Sequence, residues 1–281
     1  MKNPLSLLAV LVAASRGLLA NDTSLHDGRF GPAPLCGRES PVRMVAEHIE
    51  VEFGYRESAV HCTFTFRNTR KKGTVDELVG FPDVGAATDE LVRRHPENKD
   101  LIREFVNTGR LREMVTLVNG APVKSEVKLE ELKEGDARGS TAVWMPDQAH
   151  GLRAWHAVRA TFPAGRDVTV ERLYKVQNGT TALGVCFFNY TTATGAPWHG
   201  TIGRMQADVT LRDDDLTIDK LVWPGTPKLA KHLLPTMGTW PPRADWRVID
   251  DRHMRLVWTD FEPRTQGNRR GFSLSREFHG W

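Results

Sequence analysis

The chain has 281 residues, of which 26% are charged and 40% hydrophobic, with a formal net charge of +3 at pH 7. That length buries a substantial core in one large or two modest domains. So small a charge, with acidic and basic residues interleaved, excludes an extended nucleic-acid surface. The basic C-terminal patch Arg264, Arg269 and Arg270 has no aromatic-basic module around it.

Lys2 gives a positive start, Leu5 to Ala14 is a short apolar run, and Leu18-Leu19-Ala20 precedes polar Asn21-Asp22. This is the layout of a secretory signal peptide over 1–20, cut after Ala20, with Arg16 unusually placed between apolar run and cut. The run is shorter than a typical membrane-spanning helix, and no second run of membrane length follows. The mature chain is therefore expected to be secreted or periplasmic, without a membrane span. If Arg16 blocks the cut, the protein is a tethered accessory instead. Export makes disulfides available to Cys36, Cys62 and Cys186, and three cysteines leave one without a partner in the chain. Spacing does not choose the pairing.

Residues 21–40 are rich in Gly and Pro and read as an irregular lead. Val45, Glu47, Ile49, Val51 and Phe53 then alternate with outward Glu50 and Glu52. Val60, Cys62, Phe64 and Phe66 alternate with His61, Thr63 and Thr65. Both are the period of half-buried strands. Over 86–112 the period changes. Pro96 can open a helix, Leu101, Ile102, Phe105 and Val106 form one stripe, and Gly109 stops it, so a short helical insertion is predicted. Asn119-Gly120 predicts a tight hairpin between Met114–Val118 and Val123–Leu129. The charged stretch Glu130 to Gly139 marks a boundary between an N-terminal domain, 41–134, and a C-terminal one, 140–281. Beyond it, strands are predicted at 152–162, 168–176, 183–190, 205–211, 216–223, 254–259 and 272–278. Short strands separated by turn residues indicate a mainly β chain built as two sandwich-like antiparallel regions.

Several segments resemble a family of uncharacterised secreted, mainly bacterial proteins, the domain of unknown function DUF4424. They are the exported start, Pro41-Val42-Arg43-Met44-Val45-Ala46-Glu47, Val60 to Asn68 and Val79-Gly80-Phe81-Pro82. Phe162-Pro163-Ala164-Gly165 with the following strand, and Tyr190 to Ile202, complete the set. The resemblance implies an exported, strand-rich protein. It brings no catalytic residues with it, and the segment 86–112 departs from it.

The loop Thr191 to Ile202 is the most unusual local sequence. Gly195 and Gly200 permit tight turns, and Tyr190, Trp198 and His199 offer aromatic bodies with polar heads, so these three are the candidate binding residues. The competing reading is that Trp198 fills the core. All eight tryptophans lie in the second half, where they suit either carbohydrate and peptide contacts or core filling. Ten histidines give no HExxH pair and no compact ligand cluster, and no metal site or cofactor is expected. Asp213-Asp214-Asp215 is an acidic turn without calcium-loop spacing. There is no GxSxG elbow, and apolar surroundings blunt Cys186 as a nucleophile, so no catalytic residue is assigned. Asn21, Asn178 and Asn189 begin glycosylation-type triplets. The expected role is structural or binding, non-enzymatic, with an envelope protein or glycan as partner. A secreted hydrolase acting on an envelope polymer is the alternative.

Overall fold

The computed structural model describes residues 23–25, 40–83, 97–100, 111–132, 151–180, 185–192, 195, 197–223, 241–262 and 271–277. Fifteen strands lie among them: β1 (Thr23–Leu25), β2 (Val42–Phe53), β3 (Glu57–Asn68), β4 (Thr74–Asp83), β5 (Leu111–Val118), β6 (Ala121–Pro122), β7 (Glu126–Leu132), β8 (Gly151–Pro163), β9 (Asp167–Gln177), β10 (Gly179–Thr180), β11 (Val185–Thr191), β12 (Ile202–Leu211), β13 (Arg247–Val248), β14 (His253–Phe261) and β15 (Gly271–Glu277). The mainly β reading holds. The helical insertion placed over 86–112 falls largely outside the described residues; of those described, Lys99 and Asp100 have helical backbone, and Leu111 and Arg112 already belong to β5.

An eight-stranded sheet runs in the order β13-β14-β12-β2-β3-β9-β5-β6. A four-stranded sheet, β1-β4-β8-β7, and a three-stranded one, β10-β11-β15, pack against the same face of it. The period-two pattern explains this directly. Ile49, Val51, Phe53, Val60, Cys62, Phe64, Phe66, Val168, Val170 and Val176 all point inward and are at most 3% exposed. Phe81 and Phe162 from the four-stranded sheet, and Phe188, Phe272 and Leu274 from the three-stranded one, complete the same core. Each such side chain contributes about 1.5–3 kcal/mol by leaving water. Trp155 and Ala157 form a small separate cluster with Leu78.

The boundary at Glu130–Gly139 does not separate two sheet systems. β3 from the first half pairs with β9 from the second over eleven residue pairs, and β4 pairs with β8. Antiparallel partners so far apart in the chain leave no mark in local composition. Three local expectations also change. Thr23–Leu25, inside the lead taken as irregular, pairs with β4, because an edge strand can be recruited by backbone hydrogen bonds alone. Leu216 to Trp223 is not a strand: Ile218–Lys220 is a 3-10 turn, and only Leu221 bridges to Arg276. Its alternating residues anchor the turn, with Leu216, Ile218 and Leu221 buried. Val45 leaves the inward row because a bulge shifts the β2–β3 register between Met44 and Ala46. The bulged Val45 carbonyl presses on Gly203, where a Cβ would meet it at 2.5 Å, so only glycine fits there.

β2 and β12 are parallel neighbours in the middle of the large sheet, with Ala46 opposite Arg204 and Phe53 opposite Leu211. Arg172, in β9, is fully buried. It donates to the hydroxyls of Thr116 and Ser125 and to the carbonyls of Val79 and His156, which ties the four-stranded sheet to the large one.

Candidate functional site

Tyr190 and Trp198 lie in the core. Tyr190 is 2% exposed, stacks on Phe272 at 5.4 Å, and donates its hydroxyl to Glu47 Oε1 at 2.6 Å. Burial, with Cys62, Glu47 and Tyr174 nearby, pushes that hydroxyl's pKa well above its ordinary value. Trp198 is 2% exposed, with its ring 4.5 Å from Phe66 and 6.3 Å from Phe162. Neither ring presents a face to solvent. His199 is half-buried, and its backbone amide donates to the Val42 carbonyl at 2.8 Å. The unusual loop thus closes one end of the sandwich, and its glycines shape the bend around an aromatic plug.

No disulfide joins Cys62 to Cys186, and Cys36 lies outside the described residues. Burial pushes the Cys186 thiol up to about 11, against opposing pulls from Asn178 and Arg276. At neutral pH it is protonated, and it donates to the Tyr55 carbonyl at 2.9 Å. Asn178 is buried, with its amide donating to the Gly54 carbonyl at 2.7 Å and its oxygen accepting from Ser58, so the folded chain offers no glycan attachment there.

These contacts lead to a second locus, where the β2–β3 turn meets the three-stranded sheet. β15 sends Phe272, Leu274 and Arg276 inward in turn. The first two fill the core, and the third carries a charge into it. Arg276 is 4% exposed and lies across from Cys186 in the ladder. Its guanidinium carbon sits 3.6 Å from the centre of the Tyr55 ring, a cation–π stack. Nε donates to the Glu277 carbonyl at 2.8 Å, and Nη1 is buried with no hydrogen-bond partner among the described residues. No carboxylate of the described residues forms an ion pair with it.

The turn that brings Tyr55 there is clamped on every side. Asp213 Oδ2 accepts from the Tyr55 amide at 2.5 Å, and Asp215 accepts from the Tyr55 hydroxyl. A Cβ on Gly54 would lie 2.8 Å from the Glu57 carbonyl and 2.7 Å from Arg212 Nη2, so the turn needs glycine. Partial burial and the bond to Asp215 raise the Tyr55 pKa, with Arg276 opposing. Asp215 is held below the ordinary carboxylate value by the Tyr55 bond, with smaller help from Arg276 and Lys220. The acidic turn 213–215, which lacks calcium-loop spacing, is what fastens Tyr55 over the arginine.

The outward face of the large sheet carries a cross-strand row of charged groups. His48 lies 2.7 Å from Asp208 Oδ2, which also accepts from Gln206 at 2.6 Å, while Arg255 donates to the other oxygen. Burial would raise the Asp208 pKa, but the bonds from Gln206, His48 and Arg255 hold it below the ordinary value. His61 lies between Glu50, 3.0 Å from Nδ1, and Glu171, 3.1 Å from Nε2. Those carboxylates meet different ring nitrogens, so they diverge instead of converging on a metal position. Among the described residues no group of three or more His, Cys, Asp and Glu is placed to hold a metal ion.

Tyr55, Cys186 and Arg276 lie far apart in the chain, and no spacing rule joins them. The signal available in the sequence was one arginine on the inward parity of a terminal strand, Phe272-Ser273-Leu274-Ser275-Arg276.

No family model matches the chain, and no curated protein matches it. Among solved structures, a Legionella pneumophila protein provisionally described as nutrient-binding aligns with 93% of this chain and 70% of its own, at 14% identity and a TM-score of 0.58. An M1 zinc metallopeptidase from Deinococcus radiodurans aligns with 90% of this chain and 46% of its own, at 8% identity and a TM-score of 0.35, too low to carry an argument. No helix among the described residues is long and apolar enough to cross a membrane. At these identities the likeness concerns fold: the chain shares its strand-rich architecture with the Legionella protein.

Proposed function

We propose that the chain is an exported, non-enzymatic binding protein of the cell envelope or exterior, and that it takes its ligand at the Tyr55–Arg276 corner. The observation that carries this reading is the buried guanidinium whose Nη1 has no hydrogen-bond partner among the described residues. Buried charges in proteins are paired or bind something that pairs them. The Legionella neighbour's description as nutrient-binding supports a binding role, and so does its match to 93% of this chain. The signal-like start at 1–20 and the resemblance of Pro41–Glu47 and Tyr190–Ile202 to DUF4424 proteins support the address.

The test is thermal unfolding of the mature chain in the presence of fractionated envelope extract from its own host, separated into small molecules, glycans and proteins. A ligand that binds only the folded state raises the midpoint saturably. One fraction is expected to do so for the natural protein and not for Arg276→Gln. Turnover of an envelope polymer with no such rise overturns the reading in favour of a hydrolase.

A further inference from the structure

We propose that Arg276 anchors an anion site, receiving a carboxylate or phosphate group of the ligand, and that the Tyr55 ring is the movable cover of that site. The inference rests on the binding reading above and names the chemistry that reading leaves open.

A guanidinium makes specific demands on its surroundings. It carries five N–H donors in a planar fork and stays charged at any ordinary pH. In Arg276 one donor, on Nε, meets the carbonyl of the next residue, and Nη1 meets no acceptor among the described residues. A ring face 3.6 Å from the guanidinium carbon stabilises the charge but accepts no conventional hydrogen bond. The fork matches the two oxygens of a carboxylate or phosphate, and such pairs are among the strongest hydrogen bonds a side chain makes.

The protein's own groups leave that place open. Cys186, opposite Arg276, is protonated at neutral pH, its thiol pushed up to about 11 by burial. The side-chain amide of Asn178 is committed to the Gly54 carbonyl and its oxygen to Ser58. The two nearby aspartates are engaged by Tyr55, Asp213 through its amide and Asp215 through its hydroxyl. Among the described residues no carboxylate is ion-paired with the guanidinium, and Asp215, which lies within its field, is held by the Tyr55 hydroxyl.

Access follows from how Tyr55 is held. Its backbone is fixed by Asp213 at the amide and by Cys186 at the carbonyl. Its ring is half-buried and is held by the hydroxyl bond to exposed Asp215 and by the stack on Arg276. Rotation about the Tyr55 Cα–Cβ bond uncovers the guanidinium without moving the turn. Such rotations of partly exposed rings are fast compared with binding.

The experiment is an NMR titration of the full chain labelled with nitrogen-15, with inorganic phosphate and, separately, succinate as probes, at ionic strength held constant with chloride. The Nε–Hε signal of Arg276 is assigned from its absence in Arg276→Gln. The expected result is a saturable shift of that signal with at least one probe, and at least a tenfold weaker affinity in Arg276→Gln, read from the backbone amides of Gly54 and Tyr55. Tyr55→Ala, which removes the cover, is expected to bind at least as tightly as the natural chain. A shift with phosphate alone assigns phosphate-bearing ligands, and one with succinate alone assigns carboxylates. An Arg276 signal that moves with neither probe overturns the proposal, as does an unchanged affinity in Arg276→Gln. If that variant does not fold, the Arg276 signal, assigned through Arg276→Lys, decides alone. An envelope ligand that still stabilises Arg276→Gln sinks the anion site but leaves a binding protein. A shift here with no stabilising envelope fraction does the reverse.

Discussion

The seat of Trp198 and the corner at Tyr55 lie in the same sandwich and treat aromatic rings in opposite ways. At the first, three rings from two strands and a loop close on one another: Phe66, Phe162 and Trp198 leave nothing charged among them. At the second, one half-buried ring lies against a cation whose Nη1 finds no hydrogen-bond partner among the described residues. The first is conspicuous in sequence and serves packing. The second is inconspicuous in sequence and holds the chemistry. Unusual composition marks a demanding backbone path, and a path can be demanding for purely structural reasons.

The sharpest way to break this contrast is Trp198→Ala. Removing a buried indole from a closed aromatic cluster should cost about 3–5 kcal/mol in urea unfolding, with anion affinity unchanged in the folded protein. A folded Trp198→Ala of normal stability that no longer binds would reverse the two roles. Tyr190→Phe comes next. It deletes a hydrogen bond of 2.6 Å to a buried carboxyl and should cost about 1.5–3 kcal/mol by the same measurement.

A third effect, of about 2–3 kcal/mol, belongs to Cys186. Its thiol titrates near 9.0 when unfolded and near about 11 when folded, so folding favours the protonated form. That contribution is complete below the unfolded value and is lost as pH rises through the folded one. Stability should therefore decline between those values, and Cys186→Ala should flatten the decline. The smallest effect is at the outward row. Asp208, held below its ordinary value of 3.8, stabilises the fold above that value and ceases to do so as pH falls through its folded pKa. Asp208→Asn should cost under about 1 kcal/mol at neutral pH and lose less than the natural chain on acidification, by circular dichroism.

Most strands were legible because their alternation survives in the residues themselves: Val60 to Phe66 needs no context to be read as half-buried. The hairpin at Asn119-Gly120 was equally plain, since both residues adopt positive φ, at 51° and 75°. What could not be read was which strands meet. β3 reaches β9 past the apparent domain boundary, and β15 returns to β11 from the far end of the chain, through hydrogen bonds that no side chain specifies. The bulge after Met44 inverts parity and moved Val45 to the wrong face, while Glu47 entered the core against its ordinary preference. The candidate site failed to show for the same reason: Gly54, Asn178, Cys186, Asp213 and Arg276 become neighbours only when the eight-stranded and three-stranded sheets assemble.

The parallel pairing of β2 with β12 has a consequence for how the chain comes to be made. β2 and β3 form a hairpin that can assemble as soon as residue 68 is available, yet the other edge of β2 has no partner until β12 arrives at 202–211. Through the intervening synthesis that hairpin presents an unpaired apolar edge, the kind of template on which chains cross-pair and aggregate. Long-range closure of this sort is slow. A chaperone that holds the nascent chain between these two moments, or a delay in folding until the whole chain is present, should raise the yield of refolded protein more than any single stabilising substitution in the core.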